Sequence, residues 1–184
     1  MRKAFKRLVI TLVVLAALIA GGGLWLMSYV APDEQLNLSY EPIDLKEKAL
    51  SMVKRLSPEL VLTESDINNL IKMQLRGGDS EGLPPDVRLD GVRFELDGDR
   101  LLAHLNVTYK DRFPAGLLAS YKLEWKEPNL IVTPVELKLK GYELSTASME
   151  RYMIPLDIGE QALVRIGDIR FDQNSIAIRL QMQL

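Results

Sequence analysis

DGVRFELDGDRLLAHLNVTYK, residues Asp90 to Lys110, alternates apolar and polar side chains with a period of two. Val92, Phe94 and Leu96 alternate with Arg93 and Glu95, then Asp97-Gly98-Asp99 offers a turn. Beyond it Leu101, Ala103, Leu105, Val107 and Tyr109 alternate with His104, Asn106 and Thr108. Side chains of a strand point to opposite faces in turn, so the pattern predicts a β-hairpin with one apolar face.

The same period continues downstream. Leu117, Ala119, Tyr121, Leu123 and Trp125 face Ser120, Lys122, Glu124 and Lys126, and Pro128-Asn129 turns the chain. At Pro134 the alternation slips, from Leu130 and Val132 to Val135, Leu137 and Leu139, as at a bulge. Lys140-Gly141 shifts it back for Tyr142 and Leu144. Thr146 to Met153 reads as a short helix, and Ile154-Pro155-Leu156 leads to a hairpin of Val164 to Phe171 and Ile176 to Leu184, turning at Asp172 to Ser175.

Upstream the period becomes helical. GGDSEGLPP, Gly77 to Pro85, is a loop by its Gly and Pro content. Before it, Thr63 with Asp66 forms a cap for a helix from Glu64 to about Leu75, with Ile67, Leu70, Ile71, Gln74 and Leu75 on one side and Asn68, Asn69 and Lys72 opposite. Leu60 to Leu62 is a brief apolar run. Asp44 caps an earlier helix through Leu45, Ala49, Met52, Val53 and Leu56. A sheet apolar on one face must bury that face. The expected class is α+β, an N-terminal transmembrane helix followed by a curved antiparallel sheet packed on amphipathic helices.

That transmembrane helix is Leu8 to Val30, LVITLVVLAALIAGGGLWLMSYV, which carries no charge. About 20 apolar residues span a hydrocarbon core of about 30 Å. Arg2, Lys3, Lys6 and Arg7 precede it, Asp33 and Glu34 follow it, and basic flanks stay in the cytoplasm. Trp25 and Tyr29 suit an interfacial belt. The expected organisation is a cytoplasmic flank over residues 1–7, a span over 8–30, an extended stalk over 31–43 and an extracytoplasmic domain over 44–184. A cleaved secretory leader is the alternative, but such leaders have apolar regions of about 7–15 residues. Tyr29 would also stand where a cut after Ala31 wants a small residue.

Beyond the span, 19 Lys and Arg stand against 25 acids, about six net negative charges. That balance argues against a nucleic-acid partner, which needs a basic footprint. The absence of cysteine rules out disulfides and thiol chemistry. A zinc site is not expected with one histidine and no cysteine. Neither a G-x-S-x-G elbow nor a phosphate-cradling glycine loop occurs. No metal or cofactor is expected, and no catalytic residue is assigned. His104, the single histidine, falls on the polar face of its strand as a solvated residue, with a catalytic base as the alternative.

Ile67, Leu70, Ile71, Phe94, Leu105, Tyr109, Tyr121, Leu123 and Trp125 share apolar faces. They form either a core closed by the helices or the lining of an apolar groove, for which lipid would be the nearest ligand. The order of features resembles the YpmS-like family of membrane-anchored proteins of Gram-positive bacteria. The resemblance is carried by the basic-then-apolar N-terminus, LTESDINNLIKMQL (Leu62 to Leu75), the hairpin quoted above and MIPLDIG (Met153 to Gly159). It implies an extracytoplasmic α+β domain and supplies no catalytic residues. Together these features lead to the expectation of a single-pass protein of the cell membrane, N-terminus inside, whose outer domain binds lipid or another envelope component, a protein included. The alternatives are an envelope hydrolase using His104 and a structural partner in cell-wall synthesis or division.

Overall fold

A computed structural model describes residues 22, 25–43, 59–77, 86–155 and 164–182. Most of the expected span and the helix expected from Asp44 lie outside the described residues. Residues 25–30 are helical, with the rings of Trp25 and Tyr29 stacked 5.7 Å apart. Among the described residues no helix is long and apolar enough to cross a membrane.

The elements run β1 (Glu59–Thr63), α1 (Glu64–Gly77), β2 (Val87–Asp97), β3 (Arg100–Tyr109), β4 (Phe113–Lys126), β5 (Asn129–Leu139) and β6 (Tyr142–Leu144). A 3₁₀ turn (Thr146–Ser148) then precedes β7 (Tyr152–Pro155), β8 (Val164–Asp172) and β9 (Ser175–Met182). The chain is mostly antiparallel sheet with few helices, and the larger sheet curls as a half-barrel. That sheet has six strands in the order β2-β3-β4-β5-β6, with β7 also on β5. A second sheet, β1-β9-β8, has three.

The hairpin quoted first folds in the register its period demands. Asp97 pairs with Arg100 around Gly98, whose φ of 61° is the left-handed conformation that glycine adopts without steric cost. Val92, Phe94, Leu96, Leu101 and Ala103 are buried on one face, joined by Ala119 and Leu123 of β4 and Val132 of β5. Ile169 and Ile176 of the second sheet pack into the same cluster. The apolar face is therefore closed by a second sheet together with α1, more than by helices. Pairing β1 with β9 brings together residues as distant as Glu59 and Arg179, so no local period announces it.

Local chemistry explains the remaining departures. The slip at Pro134 is a bulge, since Ser120 pairs with Glu136 while Tyr121 pairs with Pro134. Val135, expected inward, is the extra residue and is 46% exposed. Between Thr146 and Met153 the helix is only a 3₁₀ turn, in which Ser145 Oγ accepts from Ala147 N. Tyr152–Pro155 then forms a strand, because β6 covers Leu137 to Leu139 and leaves the Asn129 to Val132 edge of β5 open for β7. Tyr109 and Leu75, also expected inward, are exposed.

α1 begins as its cap predicts. Asp66 Oδ2 accepts from both Thr63 N and Thr63 Oγ1 at 2.8 Å, and Asp66 N donates to Thr63 Oγ1. The helix also seals an edge. β2 is the last strand of its sheet, and its outward N–H groups at Phe94 and Leu96 donate to Asn68 Oδ1 and Glu64 Oε2 of α1. The helix face opposite the apolar one, through Asn68, is thus turned partly to the sheet, which removes an open pairing edge.

Candidate functional site

Residues 31–43 have no regular structure, yet they do not stand away from the domain. They cross the outer face of the large sheet as a strap. One cross-strand row, Gly91 of β2, Asn106 of β3 and Gly116 of β4, makes the trough it lies in. Pro32 sits on Gly116, where a Cβ would meet its Cα at 3.1 Å. Asn106 Nδ2 donates to Glu34 O at 2.6 Å, and Leu36 lies so close on Gly91 that any Cβ there would overlap its main chain. Two strap residues pass each strand, as an extended chain running aslant across strands about 4.8 Å apart would do.

Past this row the strap turns over the sheet edge. Val92 N donates to Asn37 O at 3.4 Å, continuing the series that α1 completes at Phe94 and Leu96, and Glu41 N donates to Asn69 Oδ1. Side-chain ion pairs fasten the other end. Lys140, in the turn between β5 and β6, reaches Asp33 at 2.5 Å, and Arg93 pairs with Glu34 at 3.2 Å and with Glu95.

Between strap and sheet lies a pocket of about 330 Å³. Asp33, Glu34 and Leu36 of the strap line it, with Arg93, His104, Asn106, Gly116, Leu118 and Lys140. His104 is therefore half-buried under the strap, not solvated as its place on the polar face had suggested. Burial lowers its pKa from the ordinary value, Arg93 lowers it further, and Glu34 acts the other way, so the ring is neutral at pH 7. Its Nε2 stands 3.3 Å from Glu95 Oε2 without hydrogen-bond geometry. Arg93 Nε is likewise buried without a partner. Buried polar atoms of this kind are ordinarily completed by ordered water, which a polar ligand group can replace.

Three cationic or donor side chains, one amide and two carboxylates converge here, and among the described residues no hydroxyl or thiol lines the pocket. Ser120, on the same face, is buried and its Oγ makes no hydrogen bond, so among the described residues no activated nucleophile faces His104. The arrangement can hold a small polar or ionic group. Among the described residues no group of three or more His, Cys, Asp or Glu could hold a metal ion.

The nine residues expected to share an apolar face divide unequally. Phe94 and Leu123 are buried in the core cluster, and Ile67, Ile71, Leu105, Tyr121 and Trp125 pack against it. Leu70 is half-buried, while Tyr109 is 43% exposed at the β3–β4 turn, with Lys110 Nζ 5.2 Å from its ring centre. Burial raises the Tyr121 pKa, with a smaller contribution from Tyr152.

The strap pocket was missed from sequence. Its available signal was a pair of glycines inside strand patterns, which mark close approach of another backbone. Comparison with protein-family models, curated proteins and solved structures gives no match, so the family resemblance stands only on the residues quoted for it.

Proposed function

We propose that the protein is a single-pass membrane-anchored module, N-terminus in the cytoplasm and β domain outside, that binds a component of the cell envelope without converting it. The anchor reading rests on the uncharged run from Leu8 to Val30 and its basic flank. The binding reading rests on one observation, the pocket under the strap. It gathers Arg93, Lys140, Asn106 and a neutral His104 around partly unsatisfied polar atoms and, among the described residues, offers no nucleophile. At about 330 Å³ it is at the small end of ligand sites and suits a polar head rather than a long apolar chain.

Full-length protein extracted in mild detergent and analysed by native mass spectrometry tests this. A bound lipid or envelope fragment that disappears in Arg93→Ala and Lys140→Ala supports it. Retention by both variants assigns the ligand elsewhere. The hydrolase alternative requires His104 to act on a bound ester. Esterase activity abolished by His104→Ala would revive it, and turnover unchanged by that substitution would dispose of it.

A protein partner is the second reading, and a specific surface favours it. Tyr142 and Leu144 of β6 and Tyr152, Met153 and Ile154 of β7 are all exposed along the β5 side of the sheet. Crosslinking in cells from positions 144 and 153 distinguishes this reading by whether a discrete adduct forms.

A further inference from the structure

The apolar run and the domain leave each other no slack. The expected span ends at Val30, only Ala31 follows, and Pro32 already lies on Gly116 while Asp33 is held by Lys140. One residue reaches at most about 3.6 Å. The headgroup layer on each side of the hydrocarbon is about 5–8 Å deep. With Trp25 and Tyr29 in the interfacial belt, the helix rises about 9 Å to Ala31 and ends about where the headgroups do, which sets a domain fastened at Pro32 directly on their surface.

The fastening point also says which end of the domain meets it. Gly116 is three residues from Phe113, which pairs with Tyr109 beside the β3–β4 turn. Leu139 pairs with Leu117, so the β5–β6 turn, with Lys140 and Tyr142, lies at the same end. Tyr109, Phe113 and Tyr142 are 43%, 42% and 67% exposed there. Lys110 stands over the Tyr109 ring, and Arg112 follows in the turn after Asp111, whose charge Arg88 pairs at 2.7 Å. Aromatic rings beside Lys and Arg are the composition of a lipid–water interface, with rings among the headgroups and cationic tips reaching phosphate.

We propose that this end of the large sheet docks on the lipid surface, with Tyr109, Phe113 and Tyr142 seated among the headgroups of the membrane that holds the anchor. The proposal rests on the anchor reading above. It makes the strap a clamp that fixes the domain's orientation on the bilayer, in place of a stalk that lets it swing.

The chain has no cysteine, so single-cysteine variants carry a fluorophore at one site each. Phe113→Cys, Tyr142→Cys, Trp25→Cys and Asp99→Cys in the full chain are labelled with nitrobenzoxadiazole and reconstituted in phosphatidylcholine vesicles, with and without headgroup-depth doxyl-phosphatidylcholine. Asp99 lies at the far end of β3, about 30 Å from the docking turn.

Docking gives blue-shifted emission at 113 and 142, at least twofold quenched by doxyl lipid, with Asp99 unquenched. Solvent-like emission at 113 and 142 beside a quenched probe at 25 overturns docking and leaves the anchor standing. A solvent-like probe at 25 as well overturns both. Protection of 113 and 142 from iodide without doxyl quenching means that another protein copy covers them, and also overturns docking.

Discussion

Leu36 lies with its main chain directly on Gly91, in a space that no side chain could share. Gly91 is also where the pairing of β2 with β3 shifts register, between Leu89 and Gly91. The strap is seated by backbone contact, so its stability should depend on the absence of a Cβ more than on any side chain.

Gly91→Ala should therefore displace the strap, since only main-chain atoms stand in the way and none can rotate aside. The cost expected for such overpacking is about 1–3 kcal/mol. Gly116→Ala, which meets Pro32 Cα at 3.1 Å, should cost less, and Gly141→Ala, with nothing within 4 Å, should be neutral. Denaturant titration of the full chain in detergent gives the order. Faster hydrogen exchange at Val92, whose N–H bonds Asn37 O, should accompany the loss in Gly91→Ala.

Asn68→Ala should leave the half-buried Phe94 N–H without its acceptor and cost about 1–3 kcal/mol. Asp66→Ala should cost about 0.5–1.5 kcal/mol by removing the side-chain half of the α1 cap while Asp66 N keeps its bond to Thr63 Oγ1. The two differ in kind. Asn68→Ala should also raise self-association, measured by analytical ultracentrifugation, because it reopens part of the β2 edge.

Stability should fall as pH drops below about 6.5. The folded state holds His104 neutral by burial and by Arg93, so its pKa is lowered and the unfolded chain takes up the proton first. The contribution is complete above the ordinary histidine value and is lost as pH falls toward the lowered folded one. His104 is the single histidine, so His104→Gln should flatten the pH dependence of Tm between pH 7 and 5.

Lys140→Met should loosen the end of the strap nearest the apolar run. Its Nζ is the partner of Asp33, and its side chain is largely buried beside an exposed carboxylate. An exposed pair contributes at most about 1 kcal/mol. The expected sign is thus a small change in Tm with a clear increase in protease cutting between residues 33 and 37.

Local features were legible and long-range ones were not. The β2–β3 hairpin and the Thr63–Asp66 cap were readable because alternation and capping act within a few residues. The bulge at Pro134 was readable because proline breaks a ladder, but which residue would be expelled, Val135, depended on β4. The pairing of Glu59 with Arg179 and the addition of β7 to β5 depend on which edges remain open after the rest has folded. The strap was read as a stalk because its bonds to Asn106 and Val92 use its own carbonyls, which leave no side-chain pattern. His104 was assigned to solvent because alternation tells which face a residue takes, not what covers that face.

In the proposed arrangement the β domain faces outward on an anchor that is never removed. Labelling Asp99→Cys in intact cells with a membrane-impermeant maleimide, followed by mass measurement of the labelled chain, tests it most directly. That arrangement gives full labelling without lysis on a chain that still carries residues 1–30. Labelling only after lysis, or a labelled chain that begins after residue 20, would contradict it.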